Sequence, residues 1–366
     1  MGLATEPIRR VSRRHPCPIC GKTKWCGVTS TFVICMRVPS DRPTQNGGWV
    51  HLLGPERPAD LPPPPPRSGE PAAPVERRHR VYRELLGLLA LDERHRENLR
   101  KRGVEDEAVL AHLEYRSLPL KGRAKLVRAL GERLGEEALR GVPGVFWREG
   151  ERRAYPTLAG PPGMLIPTRD WDGRIVAFQI RLDKPPEDDP ELKYLWLSSD
   201  GRPGGASSGA PLHWAKPRPG AGARLTEQAE GSPLEGLCRL YGRHPERPLV
   251  LVTEGVLKSD LAAEWTGLLT LGIPGVSLAH HAVEALAGDE APVRPLAVVL
   301  AFDADAARKE EVRRARDRLA AALLERGVPV LLAKWPEAAG KGIDDILAAG
   351  EGRRIRLEPF GAAAVA

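Results

Sequence analysis

The strongest constraint on the fold of this 366-residue chain is a pair of uninterrupted apolar runs that both lead into acidic residues. Residues 249–252 (LVLV) precede Glu254, and residues 296–302 (LAVVLAF) precede Asp303 and Asp305. Apolar runs without polar alternation are typical of parallel strands that are buried on both faces. Because parallel strands in an α/β fold present their carboxyl ends at one edge of the sheet, we expect these carboxylates to lie together there.

A third strand is predicted at residues 328–332 (VPVLL), and the acidic pair Asp344 and Asp345 follows at the predicted start of a helix. Carboxylates that lie close together repel one another unless a cation neutralises them, and hard cations such as Mg²⁺ prefer oxygen ligands. Glu254 is either a further ligand or a general base. The sequence therefore predicts a site for Mg²⁺ or Mn²⁺ with the ligands Asp303, Asp305, Asp344 and Asp345.

Four of the five cysteines lie near the start of the chain, as Cys17, Cys20, Cys26 and Cys35. The sequence Cys-Pro-Ile-Cys-Gly is typical of a zinc knuckle, and a segment this short buries too little apolar surface to fold without a metal. We therefore predict a structural zinc ion held by four thiolates. His15 is the alternative to Cys26 as the fourth ligand.

Residues 164–167 and 174–181 are predicted to form a β-hairpin, because the intervening Asp-Trp-Asp-Gly is a turn signal. A further strand-like segment, 193–199, follows a proline-rich turn. Upstream, residues 81–139 carry apolar residues at helical spacing. The basic stretch 95–103 within them either faces nucleic acid or is a solvated helix face.

The order of these features resembles a known family. A Glu-Gly pair after one strand, Asp-x-Asp after a later strand and an acidic helix start resemble the Toprim catalytic domain of bacterial-type primases, type IA and II topoisomerases and some nucleases. With the cysteine module and the hairpin ahead of it, the chain resembles DnaG-like DNA primases of the phage or plasmid type.

The chain departs from the family pattern at two positions. Lys258 stands four residues after Glu254, where the primase motif usually carries an acid, and the nearby acid is Asp260. Gly342 stands where many primases have the first acid of the third motif. These departures bear on the number of metal ions that the site holds.

The resemblance implies an α/β fold. It consists of a Toprim catalytic domain with a Rossmann-like parallel sheet, preceded by a mixed α+β primase-core half, a small helical region and an N-terminal zinc ribbon. The expected segments are the zinc ribbon at 12–53, a proline-rich linker at 54–78, the helical region at 79–140, the primase-core N-terminal subdomain with a Gly/Pro-rich insertion at 141–247, the Toprim domain at 248–350 and a tail at 351–366.

The resemblance also implies an activity, the synthesis of short oligonucleotide primers on single-stranded DNA from nucleoside triphosphates, in the replication of a phage or mobile element. Two divalent ions roughly 4 Å apart would assist the nucleotidyl transfer. A separately encoded replicative helicase is a candidate partner. The implied catalytic residues are Glu254, Asp303 and Asp305, and the residues implied to bind nucleotide or template are Arg181, Lys193, Tyr194 and Lys258.

Composition agrees with a nucleic-acid partner, since the formal net charge is +7. No apolar run approaches the ~18 residues of a membrane span, and the N-terminus lacks the apolar segment of a signal peptide. We therefore expect a cytoplasmic protein without membrane contact.

Two alternatives use the same residues differently. The first is a Toprim nuclease, whose acids serve hydrolysis. The second is a non-catalytic accessory protein of replication or mobilisation, which binds single strands through the zinc ribbon and uses the acidic sheet only as a scaffold.

Overall fold

The computed structural model describes residues 8–23, 25–42, 44, 48–53, 70–187, 189–190, 192–222, 225, 230–241, 247–275, 278–304 and 310–361. The strands are β1 (Arg9–Arg10), β2 (Gly27–Val28), β3 (Phe32–Cys35), β4 (Trp49–Leu52), β5 (Arg116–Leu118), β6 (Val145–Arg148), β7 (Tyr155–Leu158), β8 (Gly163–Arg169), β9 (Ile175–Leu182), β10 (Tyr194–Trp196), β11 (His213–Ala215), β12 (Leu249–Glu254), β13 (Leu269–Ile273), β14 (Ala297–Leu300), β15 (Val330–Lys334) and β16 (Arg356–Pro359). The α-helices are α1 (Val75–Gly87), α2 (Glu93–Arg100), α3 (Glu107–Leu113), α4 (Arg123–Leu134), α5 (Pro233–Tyr241), α6 (Val256–Thr266), α7 (Ala279–Ala287), α8 (Glu310–Glu325) and α9 (Ile343–Ala348).

Six strands form the largest sheet, in the order β11-β13-β12-β14-β15-β16. The four inner strands are parallel, which confirms the parallel sheet predicted from the apolar runs. β11 and β16 pair antiparallel with β13 and β15 at the two edges. The chain passes from β12 to β13 on one side and then returns to β14 on the other, so the strand order reverses between β12 and β14.

The inner strands are apolar throughout because both faces of the sheet are covered. Leu249 and Leu251 of β12 belong to one hydrophobic core, which includes side chains of α6 and α9. Val250 and Val252 belong to the opposite core, which includes side chains of α7 and α8. These four side chains of β12, at residues 249–252, are all buried, as expected for a central parallel strand.

Both edge strands come from segments for which the sequence predicted no regular structure. β11 lies in the part of the segment 141–247 that was predicted to be a Gly/Pro-rich insertion, and β16 lies in the predicted tail, 351–366. Strands of three and four residues are too short to show a hydrophobic period. These two expectations are therefore corrected, because both segments complete the main sheet.

A second sheet has the order β10-β9-β8-β5. β8 and β9 form the predicted hairpin, whose turn is closed by Asp170 N donating to Arg174 O at 3.0 Å. Gly173, with φ of +81°, supplies the left-handed residue of this turn. α1 packs on this sheet, with the Tyr82 and Phe178 rings in edge-to-face contact at 4.8 Å.

The predicted helical region, 79–140, contains α2, α3 and α4, but its β5 joins the second sheet. α1 begins at Val75, within the predicted linker, of which residues 54–69 lie outside the described ranges. Within the described residues, no helix combines the length and the hydropathy that a bilayer span requires.

Candidate functional site

Three acidic residues lie at the carboxyl edge of the parallel sheet, where the strand order reverses. Glu254 is the last residue of β12, and Asp303 follows β14 by three positions. Asp344 lies in the first turn of α9. The reversal point between two parallel strands is the place where open α/β sheets form their sites. Asp305, also predicted for this edge, lies outside the described residues.

A lysine is part of this acid cluster. Lys258, in the first turn of α6, donates a hydrogen bond from Nζ to Oδ1 of Asp303. Burial acts to lower the pKa of Lys258, but nearby carboxylates outweigh it, so the pKa is raised. In decreasing order of effect, these carboxylates belong to Asp303, Asp344 and Glu254. The side chain predicted to bind nucleotide or template is therefore directed to the predicted metal ligands.

Asp344 is the most deeply buried acid of the cluster, with 1% of its side chain exposed. Its Oδ2 accepts a hydrogen bond from Nη1 of Arg102 at 3.1 Å, whereas Oδ1 has no hydrogen-bond partner among the described residues. Burial and then Asp345 raise its pKa to about 6, against the opposing effects of Lys258 and Arg102. Asp344 thus presents an unsatisfied oxygen inside the cluster.

Asp345, also predicted to be a metal ligand, is exposed and caps its own helix. Its Oδ2 accepts a hydrogen bond from Gly342 N at 3.1 Å. A Cβ atom on Gly342 would lie 2.4 Å from Asp344 Oδ1 and 3.2 Å from Lys258 Cε. Glycine at this position therefore leaves the space in which the lysine and the buried carboxylate approach each other.

In the described residues, the acids of this edge do not form a compact metal-ligand group, and the predicted ligand Asp305 lies outside those residues. In the described ranges, the four cysteines are the one group of three or more His, Cys, Asp or Glu residues whose ligand atoms all lie within 4.8 Å of one another. Glu254, Asp303 and Asp344 are further apart, and the ammonium of Lys258 is bonded to one of them. A cation is thus present in the cluster, and the chain itself supplies it.

Asp260, the acid nearest to the position that Lys258 occupies in the motif, has a structural role. Its carboxylate accepts hydrogen bonds from Tyr115 OH at 2.7 Å and from His213 Nε2 at 2.9 Å. The other His213 nitrogen, Nδ1, accepts from Arg169 N at 2.9 Å, which leaves the ring proton on Nε2. Asp260 therefore joins α6 to β11 and to the residue before β5.

The predicted nucleotide-binding residues lie in the second sheet. Arg181 and Tyr194 are directly opposite each other in the β9–β10 pair. Arg181 Nη1 donates to Asn98 Oδ1 at 2.5 Å, Tyr194 packs against the core, and Lys193 is exposed. In the part of the chain that the structure describes, neither Arg181 nor Lys193 bonds to the acid cluster.

The basic stretch 95–103 is largely neutralised within the chain, which favours a solvated, ion-paired face over a nucleic-acid surface. Arginines in and next to it form the pairs Arg94–Asp183 at 2.7 Å, Arg96–Glu107 at 2.5 Å and Arg100–Glu93 at 2.5 Å. The exception is Arg102, which reaches the acid cluster and was not singled out by the sequence analysis. Its membership of this basic stretch was the only signal in the sequence.

The four predicted zinc ligands converge. The Sγ atoms of Cys17, Cys20, Cys26 and Cys35 all lie within 4.8 Å of one another, and those of Cys20 and Cys26 are 3.7 Å apart. Four sulfurs at about 2.3 Å from a tetrahedral zinc ion would be spaced about 3.8 Å apart. His15 is exposed and is not part of the group, so the structure favours Cys26 as the fourth ligand.

Hydrogen-bond donors surround these sulfurs. Met36 N donates to Cys26 Sγ at 3.4 Å, and Val38 N donates to Cys35 Sγ at 3.2 Å. Arg37 Nη1 lies 3.7 Å from Cys26 Sγ. Donors of this kind stabilise thiolates, and the module fits a metal that is bound by four of them.

Comparisons with known proteins return one family model and a set of solved structures. A family model described as "Domain of unknown function (DUF3854)" matches residues 240–353, the part of the chain that carries Glu254, Asp303 and Asp344. A search of curated proteins finds no significant match.

Solved structures that are similar to this chain are DnaG primase domains. The crystal structure of the Aquifex aeolicus primase (zinc-binding and RNA polymerase domains) is 17% identical, with a TM-score of 0.49 over 76% of this chain and 60% of that chain. The RNA polymerase domain of Mycobacterium tuberculosis primase DnaG is 19% identical, with a TM-score of 0.48 over 78% and 84%. The DnaG primase catalytic domain bound to ssDNA is 17% identical, with a TM-score of 0.46 over 76% of each chain. This chain therefore spans 60% of the length of the Aquifex aeolicus chain, and its activity is to be inferred from its own residues.

Proposed function

We propose that this protein is a DNA primase that synthesises short oligonucleotide primers on single-stranded DNA by metal-dependent nucleotidyl transfer, in the replication of a phage or mobile element. The observation that carries the proposal is the placement of Glu254, Asp303 and Asp344 together at the carboxyl edge of a parallel sheet, at the point where the strand order reverses. The order of a four-cysteine module, a mixed half and this acidic Toprim-like sheet supports the same assignment.

The chemistry assigned to the edge is the attack of a 3′-hydroxyl on a nucleoside triphosphate. A divalent ion, when bound, supplies positive charge that offsets the charge of the phosphates. In this proposal Asp303 and Asp344 hold the charged centre, and Glu254 assists as a further ligand or as the base that takes the hydroxyl proton. Arg181 and Lys193 contact phosphates of the nucleotide or template, the first through a planar guanidinium and the second as a point charge.

The cysteine module is proposed to bind structural zinc and to contact the template. Trp25 is 47% exposed, which is unusual for so large an apolar side chain and suits stacking on an unpaired base. Arg37 is directed toward the cysteine sulfurs, and its positive charge offsets part of the negative charge of a four-thiolate zinc site.

A specific observation favours the second candidate, a non-catalytic single-strand-binding accessory. Asp303 and Asp344 each have a cationic partner from the chain, in Lys258 and Arg102. A scaffold in which ion pairs replace a metal site would show the same contacts. Only an activity measurement separates the two candidates.

The test is to incubate the full zinc-loaded chain with single-stranded DNA, labelled ribonucleotides and deoxyribonucleotides, and Mg²⁺ or Mn²⁺. Short labelled oligomers that are lost in Asp303→Asn support primer synthesis. Cleaved template that is lost in the same variant supports the nuclease, and DNA binding without either product supports the accessory. Asp200→Asn, at an exposed position after β10, is the matched control for the substitution.

A further inference from the structure

The unusual feature of the acid cluster is the position of its lysine. Lys258 stands where the resemblance leads one to expect an acid, and its Nζ is bonded to Asp303. Asp344 and Glu254 also act on the same ammonium. The ammonium bonded to Asp303, with Asp344 Oδ1 on the other side of Gly342, lies where a hard cation would be expected.

Asp303 and Gly342 hold the Lys258 side chain in place. The Lys258 side chain is 24% exposed and Asp303 is 12% exposed, so solvent screens their contact only in part. Gly342 lies against the Lys258 side chain. A Cβ atom added to Gly342 would lie 3.3 Å from Cδ and 3.2 Å from Cε of Lys258. Any larger residue at position 342 would displace the lysine stem or the buried carboxylate of Asp344.

The charges of the cluster limit how many further cations it takes. Lys258 and Arg102 each bond to one of its carboxylates, Asp303 and Asp344, and the exposed Lys341 lies 3.9 Å from Asp303 Oδ2. Cations of the chain therefore offset much of the negative charge of these acids before any ion binds. Asp344 Oδ1, which has no hydrogen-bond partner among the described residues, is a free ligand position for an added ion.

We propose that the ammonium of Lys258 takes the place of one of two divalent ions, so that the cluster binds no more than one. The catalytic role of Lys258 rests on the proposed function. A primase of this kind would transfer nucleotides with one divalent ion and one lysine. The number of ions bound is a property that is measured without any catalysis.

The experiment is a titration of the zinc-loaded full chain with Mn²⁺, followed by calorimetry and by the electron paramagnetic resonance signal of free Mn²⁺. Asp303→Asn supplies the baseline for ions that bind elsewhere. The wild type should bind no more than one Mn²⁺ above this baseline. Lys258→Gln should bind Mn²⁺ about tenfold or more tightly than the wild type, because a charge in the cluster is removed. Lys258→Asp should bind one additional ion.

Lys341→Gln is the matched control. Its Nζ lies 3.9 Å from Asp303 Oδ2, but the side chain is 60% exposed, so its charge is screened by solvent. This variant should change Mn²⁺ affinity by less than about threefold. An equal effect of Lys341→Gln and Lys258→Gln would show that any nearby charge suffices, and the proposal would be wrong.

Two further results would overturn the proposal. One is a wild-type protein that binds two Mn²⁺ ions above the baseline, a result that does not depend on any Lys258 variant folding. The other is wild-type stoichiometry and affinity in folded Lys258→Gln and Lys258→Asp. If the Mn²⁺ results are as expected but no variant makes primers, the primase assignment fails while the role of Lys258 stands.

Discussion

Replacing Asp260 by alanine should strongly destabilise the protein, because this buried carboxylate is shared by two donors. Tyr115 is 1% exposed and His213 is fully buried, and each donates to one Asp260 oxygen. Without the carboxylate, neither the hydroxyl nor the imidazole N–H can reach water. A buried donor without a partner costs about 1–3 kcal/mol, and Asp260→Ala leaves two such donors. We expect the free energy of unfolding to fall by about 3–5 kcal/mol.

Asparagine at the same position should cost much less. The amide oxygen can accept from His213 Nε2, and the amide NH₂ can donate to the Tyr115 oxygen. The Tyr115 hydroxyl hydrogen then has no acceptor, which costs about 1–3 kcal/mol. Tyr115→Phe removes one of the two donors and should lie between the asparagine and alanine variants.

The pH dependence gives an independent check. Burial acts to raise the pKa of Asp260, but its hydrogen-bond partners and a nearby arginine outweigh it, so the pKa lies below its ordinary value. In the acid range the unfolded chain then binds more protons than the folded one, and stability rises with pH. This stability is present above the ordinary aspartate pKa and is lost as the pH falls through the lower folded value. The stability gap between wild type and Asp260→Asn should therefore narrow at acid pH.

The assay is urea unfolding of the full chain followed by circular dichroism, with the variants compared at equal denaturant slopes. Asp200→Ala, at an exposed position, is the control and should change stability by less than about 0.5 kcal/mol. If Asp260→Ala and Asp260→Asn lose the same stability, the asparagine amide does not preserve the hydrogen bonds of the carboxylate, and this reasoning is refuted. The carboxylate would then matter only through its charge.

Three further predictions concern the metals and the modules. Cys26→Ser should abolish the single zinc per chain that elemental analysis is expected to find, whereas His15→Ala should retain it. Asp303→Asn should abolish primer synthesis and lower the melting temperature in metal-free buffer, because Lys258 loses its partner. Removal of residues 1–69 should impair initiation on single-stranded DNA and spare extension of an annealed primer, and a parallel loss of both activities in a paired assay would contradict the modular arrangement.

The sequence predicted the positions of the acids because their signal is local. An apolar run followed by Glu254 or by Asp303 identifies a buried strand and its carboxyl end, and the edge of a parallel sheet then follows from topology. The signal of the four cysteines is local too, because all of them lie within one short segment of the chain. The zinc and divalent-ion assignments themselves stay predictions.

The partners of the acids could not be predicted from the sequence because they depend on contacts between distant segments. Arg102 and Asp344 are 242 positions apart, and Arg102 differs in no local feature from the neighbouring arginines that form ion pairs elsewhere. Lys258 was recognised as a departure from the motif, but its bond to Asp303 depends on how α6 meets β14. The strand β13 was also missed, because its residues 269–273 directly follow a helix and lack an acidic end.

The two short edge strands have a consequence for how this protein can be divided. The family match ends at residue 353 and begins at residue 240, so a fragment cut at those limits would omit both β11 and β16. β13 and β15 would then expose the backbone N–H and C=O groups that β11 and β16 pair with in the full chain. Such strands pair readily with copies of themselves. The fragment should form insoluble assemblies, whereas one that runs from residue 210 to residue 361 should stay monodisperse.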